Sequence, residues 1–314
     1  MSIARAHRIA GVVLVAALLA ACSVSDDDAV GRTSVDPSTA ATSTAPTPTT
    51  NSSDAATPSP DPTSPAVTKA PITKAPDAPP GPGPLGVDIT LPPAGVDATG
   101  PAVVLLHGGF WVGGNPDIMD PWAKALAAAG SVVFNASYRL VGQGGGYPGT
   151  IDDVACAVRY ARAQAAELTT SDQLVIMGHS AGGHLAAVVA LNGDAFGADC
   201  AYPQAAPPDR LVGLAGLYDI RGLGSLFDVF VGAPRTDRPA AWESVNPAQL
   251  ADRRDDLSVV LVAGANDPLV RLPEATAFEA LLPSEHVTLE VVPGAGHNEL
   301  MDPAVVGLAT LGFG

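Results

Sequence analysis

Over the last two thirds of the chain, short runs of apolar, β-branched residues alternate with alanine-rich stretches of helical length. This rhythm constrains the fold more than any other feature. The runs at 87–91, 102–106, 131–137, 173–177, 211–217, 258–263 and 287–292 read as strands. The stretches at 121–129, 151–168, 181–191 and 273–282, and one after Asp302, read as helices. A strand apolar at every position is covered on both faces, and strands separated by helices connect in parallel. The expectation is an α/β fold with a mainly parallel sheet and helices on both faces. In such sheets ligands bind beyond the carboxyl ends of the strands, so chemistry is to be sought there.

The N-terminal part is different. All seven Phe, five Tyr and three Trp residues lie at Phe110 or later, so the first third of the chain has no aromatic anchor for a core. Arg5 and Arg8 precede an apolar run at 9–21, too short for a spanning helix of ~20 residues but suited to a signal peptide. The run ends in Leu19-Ala20-Ala21-Cys22, which resembles the lipobox of bacterial lipoproteins. In that family the cysteine at this position receives a diacylglyceryl thioether and becomes the new N-terminus. The resemblance implies a lipoprotein signal peptide at 1–22 and a mature protein outside the cytoplasm, anchored to a membrane face. Ordinary secretion with an unmodified Cys22 is the alternative. Residues 23–84 are rich in Pro, Ser and Thr, and Thr-Lys-Ala-Pro occurs twice within them. Such a segment cannot bury enough apolar surface to offset the entropy of ordering, and reads as a disordered tether.

A formal charge of −16 and a pI near 4.5 exclude electrostatic attraction to nucleic acid. The remaining residues, 85–314, fit one α/β domain. Within it, Gly178-His179-Ser180-Ala181-Gly182 lies between a predicted strand and a predicted helix. This is the context of a nucleophile elbow, whose glycines permit a tight turn that projects the serine above the sheet. A structural serine at a helix N-cap is the alternative. After the strand at 102–106 comes His107-Gly108-Gly109-Phe110-Trp111, a glycine loop able to aim backbone N–H groups at an oxyanion. No lysine follows in phosphate-loop register. Together these motifs resemble the α/β-hydrolase fold, and more closely its HGG-bearing carboxylesterases related to hormone-sensitive lipase and kynurenine formamidase. Ser137-Tyr138-Arg139-Leu140, Tyr147-Pro148 and Asp152-Asp153-Val154 extend that resemblance. It implies an oxyanion hole made by the N–H groups of Gly108, Gly109 and Ala181.

A serine hydroxyl needs an imidazole to take its proton, and the imidazole needs a carboxylate to fix its tautomer. In this fold the chain order is Ser, acid, His. His297 follows the strand at 287–292, at its carboxyl end, whereas His286 stands at the entrance of that strand. His297 is therefore the expected base. Asp267 follows the strand at 258–263 and is the expected acid, with Asp219 as its rival. Asp302 reads as a helix N-terminal residue. His179 is a variable elbow position, His184 reads as a packed residue, and His107 as a brace for the glycine loop. The spacing of His179 and His184 puts them on different helix faces, so no metal pair forms. No cofactor is implied.

With Cys22 lipidated, Cys156 and Cys200 form an even pair that reads first as a disulfide, with two free thiols as the alternative. Between Ile220 and Leu257 there is room only for a small lid. Phe110 and Trp111 either wall an acyl pocket or pack into the core. The expected activity is hydrolysis of short-chain acyl or acetyl esters of small molecules, acetylated sugars included. A peptidase of the same fold, or an envelope protein that binds ligands without turnover, are the alternatives.

Overall fold

The computed structural model describes residues 67–72 and 85–313. The readings of 1–22, with Cys22, and of most of the tether lie outside the described residues. One eight-stranded sheet organises the molecule. Its strands are β1 (Val67–Ile72), β2 (Leu85–Thr90), β3 (Ala102–Leu106), β4 (Val132–Ala136), β5 (Leu174–His179), β6 (Arg210–Leu214), β7 (Ser258–Gly264) and β8 (Val287–Val292). Their spatial order is β1-β2-β4-β3-β5-β6-β7-β8. Every neighbouring pair from β4 to β8 is parallel, while β1–β2 and β2–β4 are antiparallel. This is the α/β-hydrolase arrangement that the motifs implied.

The alternation along each strand explains the apolar runs. In β3, Val103 and Leu105 pack on one side with Trp122, Leu126 and Phe313, and Val104 and Leu106 on the other with Ile151, Val158 and Leu185. Both faces of the strand are buried, so no position can be polar. Helix α1 (Asp120–Ala128) begins with Pro121 in its first turn and turns Trp122, Ala123, Leu126 and Ala127 toward the first side. The second side is covered by α2 (Gly149–Leu168) and α3 (Ala181–Asn192). From Ala181 to Leu191 every residue of α3 is buried, which is why the sequence shows no polar face there.

Residues 220–257, expected as a small lid, form α4 (Ser225–Val231), α5 (Pro239–Ser244) and α6 (Pro247–Leu250). Their Phe227, Phe230 and Trp242 join the second-side core. Helices α7 (Leu272–Glu279) and α8 (Pro303–Val306) complete the set, and Asp302 caps α8 by accepting the Ala304 N–H at 2.8 Å. Cys156 of α2 and Cys200, in the loop after α3, are joined as a disulfide with Cα atoms 5.4 Å apart.

Two elements differ from the sequence expectation. Residues 67–72 fall within the segment read as tether, yet their backbone pairs antiparallel with β2, from Val67↔Thr90 to Ile72↔Leu85. Pairing at an open sheet edge relies on backbone groups, and an edge tolerates Pro71, which lacks an N–H. The apolar pattern used to find strands carries no such signal. The strand expected at 211–217 ends at Leu214, because Ala215 adopts a φ of +45° and turns the chain.

Candidate active site

β3 and β5 are parallel neighbours, with Leu106 opposite Gly178, so the segments leaving their carboxyl ends emerge side by side. One is the glycine loop and the other the elbow. Ser180 has φ +54° and ψ −118°, a conformation L-residues avoid, at a cost of order 1–3 kcal/mol. Close approach requires the flanking glycines. A Cβ on Gly178 would lie 2.3 Å from the Gly182 carbonyl oxygen, and one on Gly182 would lie 2.4 Å from that of His107. Gly108 is equally confined, since its Cβ would come within 3.1 Å of the Ser180 Cβ. Among the described residues, the N–H groups of Gly108, Gly109 and Ala181 have no hydrogen-bond acceptor. That leaves them free to receive one.

β7 and β8 are the next parallel pair to matter, with Gly264 opposite Val292. Beyond them, His297 Nδ1 lies 2.7 Å from Asp267 Oδ2. The other carboxylate oxygen of Asp267 accepts the N–H groups of Leu269 and Val270 at 2.8 and 2.9 Å. Burial opposes ionisation of Asp267, but the bond from His297 and the two backbone N–H groups outweigh it and hold the carboxyl below its usual range. Asp219, the rival acid, is engaged elsewhere. Its carboxylate accepts the Arg221 guanidinium, with Nε to Oδ1 at 2.8 Å, and lowers its own affinity for protons by that pairing. His286 is exposed at the entrance of β8.

A cavity of about 290 Å³ opens between these segments, and Gly108, Gly109, Phe110, Ile118, Ser180 and His297 line it together with Asn298 and Met301. The structure thus brings together Ser180, both glycines, His297 and, through His297, Asp267. Phe110 lines this cavity, whereas Trp111 is 1% exposed and belongs to the core. No residue of 220–257 is among those lining it.

Among the described residues, the remaining histidines are each engaged. Tyr138 stacks on His107 with ring centroids 4.3 Å apart, and its hydroxyl donates to the His107 carbonyl at 2.6 Å, so His107 is a braced residue of the glycine loop. His179 Nε2 lies 3.0 Å from the His297 carbonyl oxygen, to which it donates. Burial, and secondarily the neighbouring His297, push His179 down to about 3. It is neutral at ordinary pH and ties the elbow to the His297 loop. This link was not legible in the sequence, because its acceptor is a backbone carbonyl and carries no side-chain signature. Ile118, Asn298 and Met301 were missed for a similar reason, as wall residues follow no motif.

Residues 87–282 match the BD-FAE family. The chain is 41% identical over 92 residues to the carboxylesterase NlhH of Mycobacterium tuberculosis, covering 29% of this chain and 28% of that one. It is 29% identical over 225 residues to the esterase LipC of the same organism, covering 66% of this chain and 55% of that one. The chain thus spans about half or less of these curated relatives. Its fold is shared with the butyrate-bound esterase Est2 of Thermogutta terrifontis, at a TM-score of 0.62 and 20% identity, covering 79% of this chain and 95% of that one. The family match extends over more than half of the sequence and contains both the glycine loop and the elbow; the chain belongs to the BD-FAE family.

Proposed function

We propose that this protein is an exported serine hydrolase that cleaves carboxylic esters of short acyl groups through an acyl-enzyme. The observation that carries the reading is the 2.7 Å contact of His297 Nδ1 with Asp267 Oδ2, beside a cavity that His297 shares with Ser180 and the glycine loop. With Nδ1–H held by the carboxylate, His297 Nε2 is the free basic nitrogen. It takes the proton as Ser180 Oγ adds to the ester carbonyl. Asp267 stabilises the resulting imidazolium. The N–H groups of Gly108, Gly109 and Ala181 bind the oxyanion, charge that develops only in the transition state. His297 then returns the proton to the departing alkoxide, leaving the acyl group on Ser180. Water repeats the sequence in reverse and releases the acid.

Phe110, Ile118 and Met301 give the cavity apolar walls suited to an acyl chain, and its volume is at the small end for ligand pockets. That supports acetyl to butyryl groups over long ones, and the fold relative Est2 has been seen with butyrate bound. Export and lipid anchoring through Cys22 rest on the sequence of the first 22 residues.

Hydrolysis of chromogenic acetyl, butyryl and dodecanoyl esters, beside a peptide anilide, tests the reading. The expected order of kcat/KM is acetyl or butyryl first and dodecanoyl far behind, with Ser180→Ala reducing turnover by at least ~10³-fold. Preference for the anilide would indicate a peptidase instead. No turnover of any substrate by folded protein would indicate a binding protein.

A further inference from the structure

Gly109, Phe110 and Trp111 all have positive φ, at 127°, 53° and 63°. Glycine adopts such angles freely, but phenylalanine and tryptophan do not, so the surroundings must hold them there. The main chain supplies part of the restraint. The N–H groups of Val112 and Gly113 donate to the Gly109 carbonyl at 3.1 and 3.0 Å, and Val141 N–H donates to that of Trp111 at 2.8 Å. The Trp111 side chain supplies the rest. Its ring stands edge-on to Phe227 at 4.8 Å and tilted against Phe230 at 5.5 Å. Its indole Nε1–H donates to His184 Nδ1 at 3.2 Å.

His184 is fully buried and uses both ring nitrogens. Nδ1 accepts from Trp111, so the proton sits on Nε2, which donates to the Val245 carbonyl at 2.8 Å. Its backbone N–H donates to the Ser180 carbonyl at 3.0 Å. A short path of contacts therefore runs from Ser180 through His184 and Trp111 to the glycine loop. The opposite end of that loop is held by Tyr138 at His107. Gly108 and Gly109 hang between the two posts.

We propose that Trp111 and His184 are a positioning pair, whose hydrogen bond sets the Gly108 and Gly109 N–H groups at a fixed place relative to Ser180. The inference rests on the serine-esterase reading. Neither residue touches the reacting atoms. Their role is exerted on an oxyanion hole, which binds charge present only in the transition state. A misplaced loop therefore lowers kcat and leaves KM nearly unchanged. The pair also requires a neutral His184, because an imidazolium has no lone pair for the indole N–H. Burial meets that need by pushing His184 down to about 4.

Trp111→Phe keeps an aromatic ring in the cluster while removing the donor and part of the buried indole; His184→Leu removes the acceptor together with the bond to the Val245 carbonyl. Both variants, and the double variant, are to be assayed for kcat and KM on an acetyl ester. The affinity of a short alkyl boronic acid, which forms a tetrahedral adduct on the serine, and thermal melts complete the set. Trp111→Phe is expected to lower kcat about tenfold, a loss of ~1.4 kcal/mol, and to weaken boronate binding by a similar factor with KM within about twofold. The double variant should lose less than the product of the two single losses, since both remove the Trp111–His184 bond. Unchanged kcat and boronate affinity in Trp111→Phe, or effects that multiply in the double variant, would overturn the proposal. If His184→Leu does not fold, Trp111→Phe alone decides. A folded wild type that neither hydrolyses esters nor binds boronate overturns the enzyme reading itself, a result distinct from an active wild type with an indifferent Trp111→Phe.

Discussion

Asp267 and Asp219 both follow parallel strands, and their sequence settings are alike; their partners separate them. Asp267 holds His297 at 2.7 Å, whereas Asp219 is paired with Arg221, two residues away. Asp267→Asn should leave His297 in the wrong tautomer and cut turnover by up to ~10⁴-fold with little change in melting temperature. Asp219→Asn disrupts a partly exposed ion pair and should change turnover less than about threefold, with a stability loss of no more than about 1 kcal/mol. Steady-state rates and melts of the two variants check both statements, and equal turnover in Asp267→Asn and wild type would contradict them. At this scale the sequence carried Ser180, Asp267 and His297 because each stands just past a recognisable strand, in an order the fold dictates. It did not carry the tasks of His179 and His184. Those depend on the carbonyls of His297 and Val245, 118 and 61 residues away in the chain.

At the scale of elements, two neutral histidines are buried around the elbow, His179 at the end of β5 and His184 within α3. In the unfolded chain each binds a proton below about 6.5. In the folded protein they remain neutral down to about 4 for His184 and about 3 for His179. Across that interval the unfolded state holds more protons, so stability falls as pH drops, by about 1.4 kcal/mol per pH unit for each histidine. Urea melts between about pH 6.5 and 4.5 should show this slope, and His184→Gln should reduce it by about one proton's worth; an identical slope in the variant would contradict the assignment. The disulfide joins α2 to the loop after α3 across a sequence separation of 44. In the chain-entropy model a loop of this length is worth roughly 4 kcal/mol. A reducing agent should lower the melting temperature, and two freely alkylated thiols in the native protein would contradict the bond. The central strands β3, β5, β6 and β7 were legible because burial on both faces leaves nearly unbroken apolar runs. The early end of β6 was not, since Ala215 gives no sign of its positive φ.

At the scale of the whole molecule, the sheet places the candidate site at the carboxyl ends of β3, β5, β7 and β8, and the proposed lipid anchor lies in the N-terminal sequence. The lipobox-like Leu19-Ala20-Ala21-Cys22 predicts that cells expressing the full chain will incorporate labelled palmitate into it. Cys22→Ser should abolish the label and release the protein from membranes, and equal labelling of both forms would contradict the anchor. The domain boundary was only partly legible: β2 spans Leu85–Thr90 where a strand was read at 87–91, and β1 lies upstream of it, in a segment whose proline-containing composition gives no strand signal. The central claim is that Ser180 is a nucleophile activated by its surroundings, and covalent labelling tests it most directly. The folded protein is treated with a fluorophosphonate, digested and mapped by mass spectrometry. The account predicts a single adduct, on Ser180, absent from Ser180→Ala; an unmodified native protein, or an adduct on another residue, would contradict it.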